Sequence, residues 1–234
     1  MFKRPHHQSI AKLLQAFDGE LLQRANCYFG GGTAIVLALD EYRESVDIDF
    51  MCSDLAGYRI LRNAITAPTL GSVLRVPVKH RRDVKTERDK ISTFLEVDAI
   101  PVKIEFVLEG RISLIGALDA KLGVPVLSRD DMYAEKLLAN VDRGLDRSVM
   151  NRDLIDLAMM MKAWGSVPAS ALKKARKAYG DAVDSYFIKT VAMLGNRQYL
   201  ADCLHKMAMD PTLAEAITDT LRKHPLKSAH APPM

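Results

Sequence analysis

The chain has 234 residues, of which 48% are hydrophobic and 26% charged, so it is neither disordered nor fibrous and can form one large domain or two small ones. We expect a cytoplasmic protein without membrane contact, because no apolar run approaches the ~20 residues that span a bilayer and no signal peptide is recognisable. Three scattered cysteines exclude a disulfide framework. The net charge is +4, and the whole excess lies in residues 168–234, which hold ten basic and six acidic side chains.

The first part of the chain mixes helix and strand patterns. Apolar residues at helical spacing predict helices over 9–26 and 54–65, and three glycines at 30–32 predict a tight turn that opens a short buried helix. Alternation and apolar runs predict strands over 45–50, 73–78, 91–97 and 102–108. The charged segment 79–90 is expected to be a hairpin loop, and residues 123–127 a short connector or one more strand.

From residue 128 onward the pattern is helical throughout. The predicted helices cover 129–142, 150–163, 168–179, 182–195, 198–208 and 211–223. Residues 224–234 are rich in Pro, Ala and His and are expected to fray. The expected fold class is α+β, with an α+β domain over 1–125 and an all-α domain over 126–234.

Two aspartates, Asp47 and Asp49, stand two residues apart on the strand predicted over 45–50. Side chains at this spacing share one face of a strand, here together with Ser45. The alternate residues are expected to face the core: Val46, Ile48 and Phe50. Two carboxylates this close repel each other unless a divalent cation joins them, and Mg²⁺ is commonly held by one or two carboxylates and substrate phosphates. Taken alone, the pair fits either a metal site or a strand with an acidic solvent face.

Sequence on either side of the pair favours a metal site. Upstream, Gly31, Gly32 and Thr33 open the short helix, where backbone N–H groups at the positive end of the helix dipole suit a phosphate. Downstream, Lys103 and Glu105 share one face of the strand over 102–108. Glu105 supplies a third carboxylate if that strand lies beside the first. This order of turn, Asp-x-Asp strand and acidic strand is more specific than any of its parts.

These residues resemble the nucleotidyltransferase fold of the DNA polymerase β superfamily and, more narrowly, the AbiEii/AbiGii nucleotidyltransferase toxin family. The likeness runs from Phe29-Gly-Gly-Gly-Thr-Ala-Ile-Val-Leu37 to Arg43-Glu-Ser-Val-Asp-Ile-Asp-Phe50. Asp131 with Lys136 five residues later, and the helix that contains Asp153, also fit the family. The resemblance implies a nucleotidyltransferase-like mixed sheet with flanking helices, followed by an all-α part.

The resemblance also implies roles for single residues. Asp47, Asp49 and Glu105 would hold Mg²⁺ or Mn²⁺, and Glu105 could act as base toward the acceptor hydroxyl, although Asp is commoner at its position. The nucleotide would contact the following residues: Gly31, Gly32, Thr33, Arg43, Ser45 and Lys136. Lys136 would neutralise the triphosphate, and the alternative is a surface lysine next to Glu135. Asp153 and Asp156 fit a helix surface or an interhelical salt bridge better than a site.

Two basic clusters are candidates for contact with phosphates. One is the segment 79–90, and the other consists of Lys173, Lys174, Arg176 and Lys177, which are the expected acceptor-binding residues. The alternative for both is a solvated surface.

Three functions remain open at this point. The family implies a metal-dependent nucleotidyltransferase, the toxin of a toxin–antitoxin system, which transfers a nucleotide from an NTP to an acceptor such as a tRNA 3′ end. Its partners would be the NTP, RNA and a cognate antitoxin protein. The alternatives are a non-catalytic NTP-binding module that docks proteins and an enzyme that adds AMP to a protein hydroxyl. The three acidic residues favour catalysis, because binding alone does not require them all.

Overall fold

The structure is a computed structural model that describes residues 2–226 of the chain. It divides into two compact units, Met1–Met132 and Tyr133–Met234. All strands that the described residues form lie in the first unit, and the second is helical. The expected α+β fold class is confirmed. Of the stretch expected to fray, residues 227–234 lie outside the described part of the chain.

A seven-stranded mixed sheet is the centre of the first unit. Its strands are β1 (Cys27–Gly30), β2 (Ile48–Cys52), β3 (Lys79–Thr86), β4 (Lys90–Val97), β5 (Ile100–Leu108), β6 (Gly116–Leu118) and β7 (Pro125–Leu127). The order across the sheet is β3-β4-β5-β2-β1-β7-β6. Strands β2 and β5 are parallel neighbours, and β1 pairs antiparallel with β2. The strand that carries Asp49 is therefore central.

Ten α-helices are present among residues 2–226. They are α1 (Pro5–Leu14), α2 (Gly19–Arg24), α3 (Gly31–Ala38), α4 (Leu55–Ala64), α5 (Arg129–Arg143), α6 (Arg152–Trp164), α7 (Ala169–Tyr179), α8 (Ala182–Leu194), α9 (Arg197–Lys206) and α10 (Leu213–Lys223). None of them is long and apolar enough to cross a membrane. Helix α5 runs across the division between the units. The six helices predicted after residue 128 are confirmed to within a few residues at each end.

One face of the sheet is the core of the first unit. Along β2, β4 and β5 the buried side chains alternate with partly exposed ones, as expected for a sheet with one covered face. Phe50 and Phe106 stack at 5.0 Å between ring centroids, and Phe17 packs against both. Asp49, Lys103 and Glu105 alternate with these buried residues and lie on the opposite face.

The first predicted helix is wrong in its extent. Residues 9–26 form two helices, and the first begins at Pro5 rather than at Ser9, because proline fits the first turn of a helix. Helix α1 ends at Leu14, and α2 begins at Gly19. Asp18 caps α2 by accepting a hydrogen bond from the backbone N–H of Leu21 at 2.8 Å.

Four strand assignments also differ, and one of them is the short strand β6, which was not expected. Residues 79–86 form the edge strand β3 and not a loop, because pairing with β4 forms a strand that lacks an apolar alternation. Residues 73–78 form no strand, since the backbone of Val73 and Arg75 pairs irregularly with residues 16–18. Strand β1 was not expected, because its four buried residues carry no polar alternation. Val46 is 44% exposed and not in the core, since β2 begins only at Ile48.

The second unit is a set of packed helices. Helix α10 packs on α6, α7 on α8, and α8 on α9. Its buried residues include the successive methionines Met159, Met160 and Met161 on α6.

Candidate active site

Two carboxylates, Asp49 and Glu105, are neighbours on the face of the sheet that is opposite the core. Strand β5 lies beside β2, and Asp49 is the register partner of Glu105. Asp47 lies two residues before Asp49, immediately ahead of the strand. The condition for Glu105 to act together with Asp49, that the two acidic strands are neighbours, is therefore met.

A lysine that the sequence analysis left without a role lies among these carboxylates. Lys103 Nζ is 3.0 Å from Glu105 Oε2, and Lys90 Nζ is 3.6 Å from Glu105 Oε1. Burial lowers the pKa of Lys103, but the hydrogen bond with Glu105 and the charges of Asp47 and Asp49 outweigh this effect, so the pKa is raised. Lys103 is thus the cation that offsets the repulsion between the acidic groups. The Lys-x-Glu spacing on one strand face was the signal for it.

The arrangement fits a divalent cation at the aspartates better than at all three carboxylates. Among residues 2–226, no group of three or more His, Cys, Asp and Glu side chains stands ready to hold a metal ion. Glu105 is paired with two lysines, and Asp47 and Asp49, two residues apart, are carboxylates of the kind that bind hard cations. Mg²⁺ needs only one or two protein carboxylates when substrate phosphates complete its coordination. The residues present therefore fit a cation shared with a nucleotide.

The glycine turn lies directly against Asp49. Gly31 has φ +67°, which favours glycine, and a Cβ there would lie 2.6 Å from Asp49 Oδ2. Helix α3 begins at Gly31, and its N-cap, Gly30, supplies no side-chain hydrogen bond. The positive end of the helix dipole therefore lies beside the carboxylate of Asp49. This geometry suits an anion that is bridged to the aspartates by a cation.

Arg43 lies against the same turn, next to Gly32. A Cβ on Gly32 would lie 2.3 Å from Arg43 Nη2, so the guanidinium occupies the place of the missing side chain. Arg43 is buried, and its Nη1 donates to the carbonyl oxygen of Glu44 at 2.9 Å. The structure thus brings together two of the residues expected to contact the nucleotide.

Thr33 and Ser45 connect α3 to the aspartate strand. The Thr33 hydroxyl donates to the carbonyl oxygen of Asp47 at 2.5 Å and lies 2.8 Å from Ser45 Oγ. Because Thr33 is only 1% exposed, its hydroxyl positions Asp47. Any contact of Thr33 with a nucleotide would come from the backbone N–H.

A buried histidine, His7, contacts the backbone of Ser45, and no pattern in the sequence indicated this contact. His7 is fully buried, and its Nδ1 donates to Glu41 Oε1 at 2.8 Å while its Nε2 accepts from the backbone N–H of Ser45 at 3.3 Å. Burial lowers the pKa of His7 more than Glu41 raises it. The ring is therefore neutral, which the acceptor role of Nε2 requires. His7 lies 38 residues from Ser45, and no spacing rule connects them.

We predict that Gly32→Ala weakens NTP binding more than it weakens the fold. The new methyl group displaces the end of the flexible Arg43 side chain and not backbone, so the cost in unfolding free energy should stay near 1 kcal/mol, while the Kd for NTP should rise roughly tenfold. Gly110→Ala is the control, because a Cβ there meets nothing within 4 Å. Equal losses of binding and stability would make Gly32 a folding requirement only.

We predict that His7→Ala slows transfer about tenfold to a hundredfold through misplacement of Asp47. It should also remove a pH dependence of stability. A folded pKa below the ordinary value of about 6.5 means that the unfolded chain takes up the proton first, so the parent loses stability as pH falls below that value. Denaturation measured at several pH values should show this loss in the parent and in the exposed-residue control His205→Ala. If His7→Ala shows the same loss, the assignment is wrong.

Lys136, expected at the triphosphate or on the surface, is buried in the second unit. Its Nζ lies 2.8 Å from Asp153 Oδ1 and 2.5 Å from Asp156 Oδ2, and Arg143 Nε lies 2.7 Å from Asp153 Oδ2. The prediction that Lys136 is a surface lysine is wrong, because its ammonium group forms ion pairs with these buried carboxylates. Asp153 and Asp156 do form the interhelical salt bridge, from α6 to α5. Contact of Lys136 with a triphosphate stays a prediction.

We predict that the second unit loses stability in acid through Asp153. Burial raises the pKa of Asp153, but the charge of Lys136 and the hydrogen bonds with Arg143 outweigh it and hold the pKa well below its usual range. The stabilisation is therefore complete above the ordinary Asp pKa of about 3.9 and is lost as pH falls further. Between pH 5 and pH 2, the unfolding free energy of the parent should fall more steeply with decreasing pH than that of Asp153→Asn. Equal slopes would contradict this.

The predicted acceptor cluster on α7 is not one continuous set of exposed cations. Arg176 donates through Nε and Nη2 to Asp184 at 2.9 and 2.7 Å, so a carboxylate already engages its guanidinium. Lys173 and Lys177 are exposed. Acceptor binding by Lys173, Lys174, Arg176 and Lys177 stays a prediction, with Lys173 and Lys177 best placed to contribute.

Comparison with known proteins gives one family match. The family model described as nucleotidyl transferase AbiEii toxin, type IV TA system, matches residues 12–230. No curated protein sequence matches significantly.

Solved structures with some similarity to this chain come from Helicobacter pylori, Paracoccidioides brasiliensis and Megavirus. JHP933 from Helicobacter pylori is 15% identical, with a TM-score of 0.45 and coverage of 95% of this chain and 96% of that one. An antigenic nucleotidyltransferase-like protein from Paracoccidioides brasiliensis is 14% identical, with a TM-score of 0.42 and 91% of each chain covered. The Megavirus polyadenylate synthase is 12% identical, with a TM-score of 0.28 and 85% and 36% covered. At TM-scores below 0.5, these similarities support no conclusion about the function of this chain.

Proposed function

We propose that this chain, which belongs to the AbiEii nucleotidyltransferase toxin family of type IV toxin–antitoxin systems, transfers a nucleotide from an NTP to the 3′ end of an RNA acceptor, with tRNA as the expected kind. The family makes the chain a nucleotidyltransferase toxin with an antitoxin partner. The acceptor, the requirement for Mg²⁺ or Mn²⁺ and a place in the cytoplasm, where NTPs and tRNA occur together, are part of the proposal.

The observation that carries the proposal is the meeting of the turn and the carboxylates. Asp49 is the register partner of Glu105, and its carboxylate oxygen would lie 2.6 Å from a Cβ on Gly31. A phosphate held at the start of α3 would therefore be in reach of both acidic strands. A module that only binds nucleotides has no need for a second acidic strand at this point.

In the proposed reaction, a bond forms between the acceptor 3′ oxygen and the α-phosphorus of the NTP. The bond from that phosphorus to the oxygen that bridges to the β-phosphate breaks, and pyrophosphate leaves with the electron pair. A divalent cation bound by Asp47 and Asp49 would supply electrostatic stabilisation of the phosphate oxygens.

The protein's own residues supply the rest of the chemistry. Glu105 takes the proton from the acceptor hydroxyl as the new bond forms, and Lys103, 3.0 Å from it, holds this carboxylate in place. The backbone of Gly31 and Gly32, together with Arg43, binds the β- and γ-phosphates and aligns the leaving group. Thr33 and His7 hold the Asp47 segment.

The test is incubation of the protein with Mg²⁺, total tRNA and each α-labelled NTP in turn. We expect label on RNA with at least one NTP. Label on the protein fraction instead would indicate an enzyme that modifies protein hydroxyls, and no label with any NTP would indicate a binding module. Addition of EDTA should abolish the labelling, and Mn²⁺ should restore it.

A further inference from the structure

The polar face of the sheet continues from the carboxylates to the edge strand. Register pairs connect Asp49 to Glu105, Glu105 to Ser92 on β4, and Ser92 to Lys85 on β3. A neighbouring row connects Lys103 on β5 to Phe94 on β4 and Arg82 on β3. Because register partners share a face, both rows lie on the side opposite the core. Register pairs thus connect the edge strand to the acidic residues on one face, although the β3–β4 register shifts on either side of Arg82.

The outer part of this surface is basic. The segment 79–90 has six Lys and Arg side chains and three Asp and Glu, which gives it a net charge of +3. Its ion pair between Lys85 and Glu87 joins side chains that are 72% and 39% exposed. Such exposed pairs contribute little free energy, so Lys85 can exchange its carboxylate for a phosphate at small cost.

An aromatic ring lies between the basic edge and the carboxylates. The carbon of the exposed Arg82 guanidinium is 4.6 Å from the centroid of the Phe94 ring, a distance typical of a cation–π contact. Phe94 is the diagonal neighbour of Glu105, and such pairs lie about 7–8 Å apart. Bases of single-stranded RNA stack on aromatic rings and on arginine planes, and basic side chains follow the phosphates.

We propose that this face, formed by Arg82, Lys85, Phe94 and Lys103, holds the single-stranded 3′ end of the RNA acceptor. The inference rests on the proposed function and names the surface that serves it. One base of the acceptor stacks on the Arg82–Phe94 pair, Lys85 binds a phosphate, and the terminal hydroxyl reaches Glu105. Lys103 stands between the two regions and separates the acceptor phosphates from the carboxylates. An acidic strand of a protein partner along β3 is the competing occupant, but it would not use the stack.

The experiment compares two double variants with equal loss of charge. Arg82→Gln with Lys85→Gln alters the proposed face, and Arg59→Gln with Arg62→Gln removes two exposed arginines from α4. The probe is a 5′-labelled single-stranded RNA with a free 3′ hydroxyl, titrated at several salt concentrations. We expect the first variant to raise the Kd roughly tenfold and to reduce the salt slope by about two, one for each contact. The α4 variant and the Kd for NTP should stay at the parent values.

A single variant tests the stack separately from the charge. Phe94→Leu keeps the apolar volume but removes the ring, and it should raise the Kd for this RNA roughly tenfold without a change in salt slope. Thermal unfolding of each variant verifies the fold. Unchanged RNA binding in both the double variant and Phe94→Leu would overturn the proposal.

Two other outcomes would also overturn the proposal. If Lys173→Gln with Lys177→Gln weakens RNA binding while the β3 variant does not, the acceptor is held by α7. If the β3 variant keeps RNA binding but loses binding of a labelled polyglutamate peptide, the face docks acidic protein. In both cases a parent that still labels RNA leaves the proposed function intact, whereas a parent that labels no RNA contradicts the function itself.

Discussion

Asp49→Asn should lower nucleotide transfer roughly a thousandfold or more, because it removes the charged ligand at the point where turn and strands meet. Asp47→Asn should act in the same way. Asparagine has nearly the shape of aspartate, so the close contact with Gly31 is preserved and the fold should remain. The measurement is single-turnover transfer of an α-labelled NTP at saturating Mg²⁺.

The effect of these substitutions on stability should be close to zero. If Asp47 and Asp49 had no cation nearby, removal of one charge would relieve their repulsion and stabilise the fold. The structure adds Lys103, a cation 3.0 Å from Glu105 whose charge offsets part of the repulsion among the acidic groups. Asp98→Asn is the matched control, because Asp98 is exposed and its φ of 52° suits asparagine. Full transfer in Asp49→Asn would show that the carboxylate is not part of the catalytic machinery.

The second large effect is expected at Lys136. Lys136→Met removes the cation that contacts both Asp153 and Asp156 in the buried part of the second unit. Breaking a buried ion pair by removal of one partner costs about 3–5 kcal/mol, so the unfolding free energy should fall by that order. Chemical denaturation followed by circular dichroism measures it.

Two comparisons separate structure from catalysis at this residue. Lys162→Met removes an exposed lysine of α6 and should change stability little. Lys136→Met with Asp156→Leu should recover part of the loss, because it removes one of the two carboxylates that Lys136 contacts. A Lys136→Met protein as stable as the parent would contradict the structural role. If it also lost transfer, the prediction that Lys136 contacts the triphosphate would gain support.

The glycine turn and the aspartate strand of the candidate site could be predicted from the sequence because their signals are local. Gly31 has a positive φ in the turn that the three glycines predict, and Asp49 alternates with the buried residues of β2, although Asp47 lies just ahead of that strand. The position of Glu105 depended on one non-local event, the pairing of β5 with β2, which the order of the motifs suggested. The helices of the second unit were found from their period for the same reason.

The rest could not be predicted because it depends on contacts between distant residues. His7 reaches Ser45 across 38 positions, and Lys136 is buried only because α6 brings Asp153 and Asp156 to it. Strand β3 consists largely of charged residues, a composition typical of a loop, and it exists because β4 offers hydrogen-bond partners. Val46 follows the alternation of a strand that begins only after it.

The most direct test of catalysis at this site is the intact mass of the RNA acceptor after incubation with one NTP and Mg²⁺. Paired samples would carry a free or a phosphorylated 3′ end, with parent protein or Asp49→Asn. We expect the parent to add the mass of one or more nucleoside monophosphates to the free end only, with one pyrophosphate released for each addition, and Asp49→Asn to add none. Equal addition by both proteins, or no addition to any RNA or NTP combination, would contradict the account.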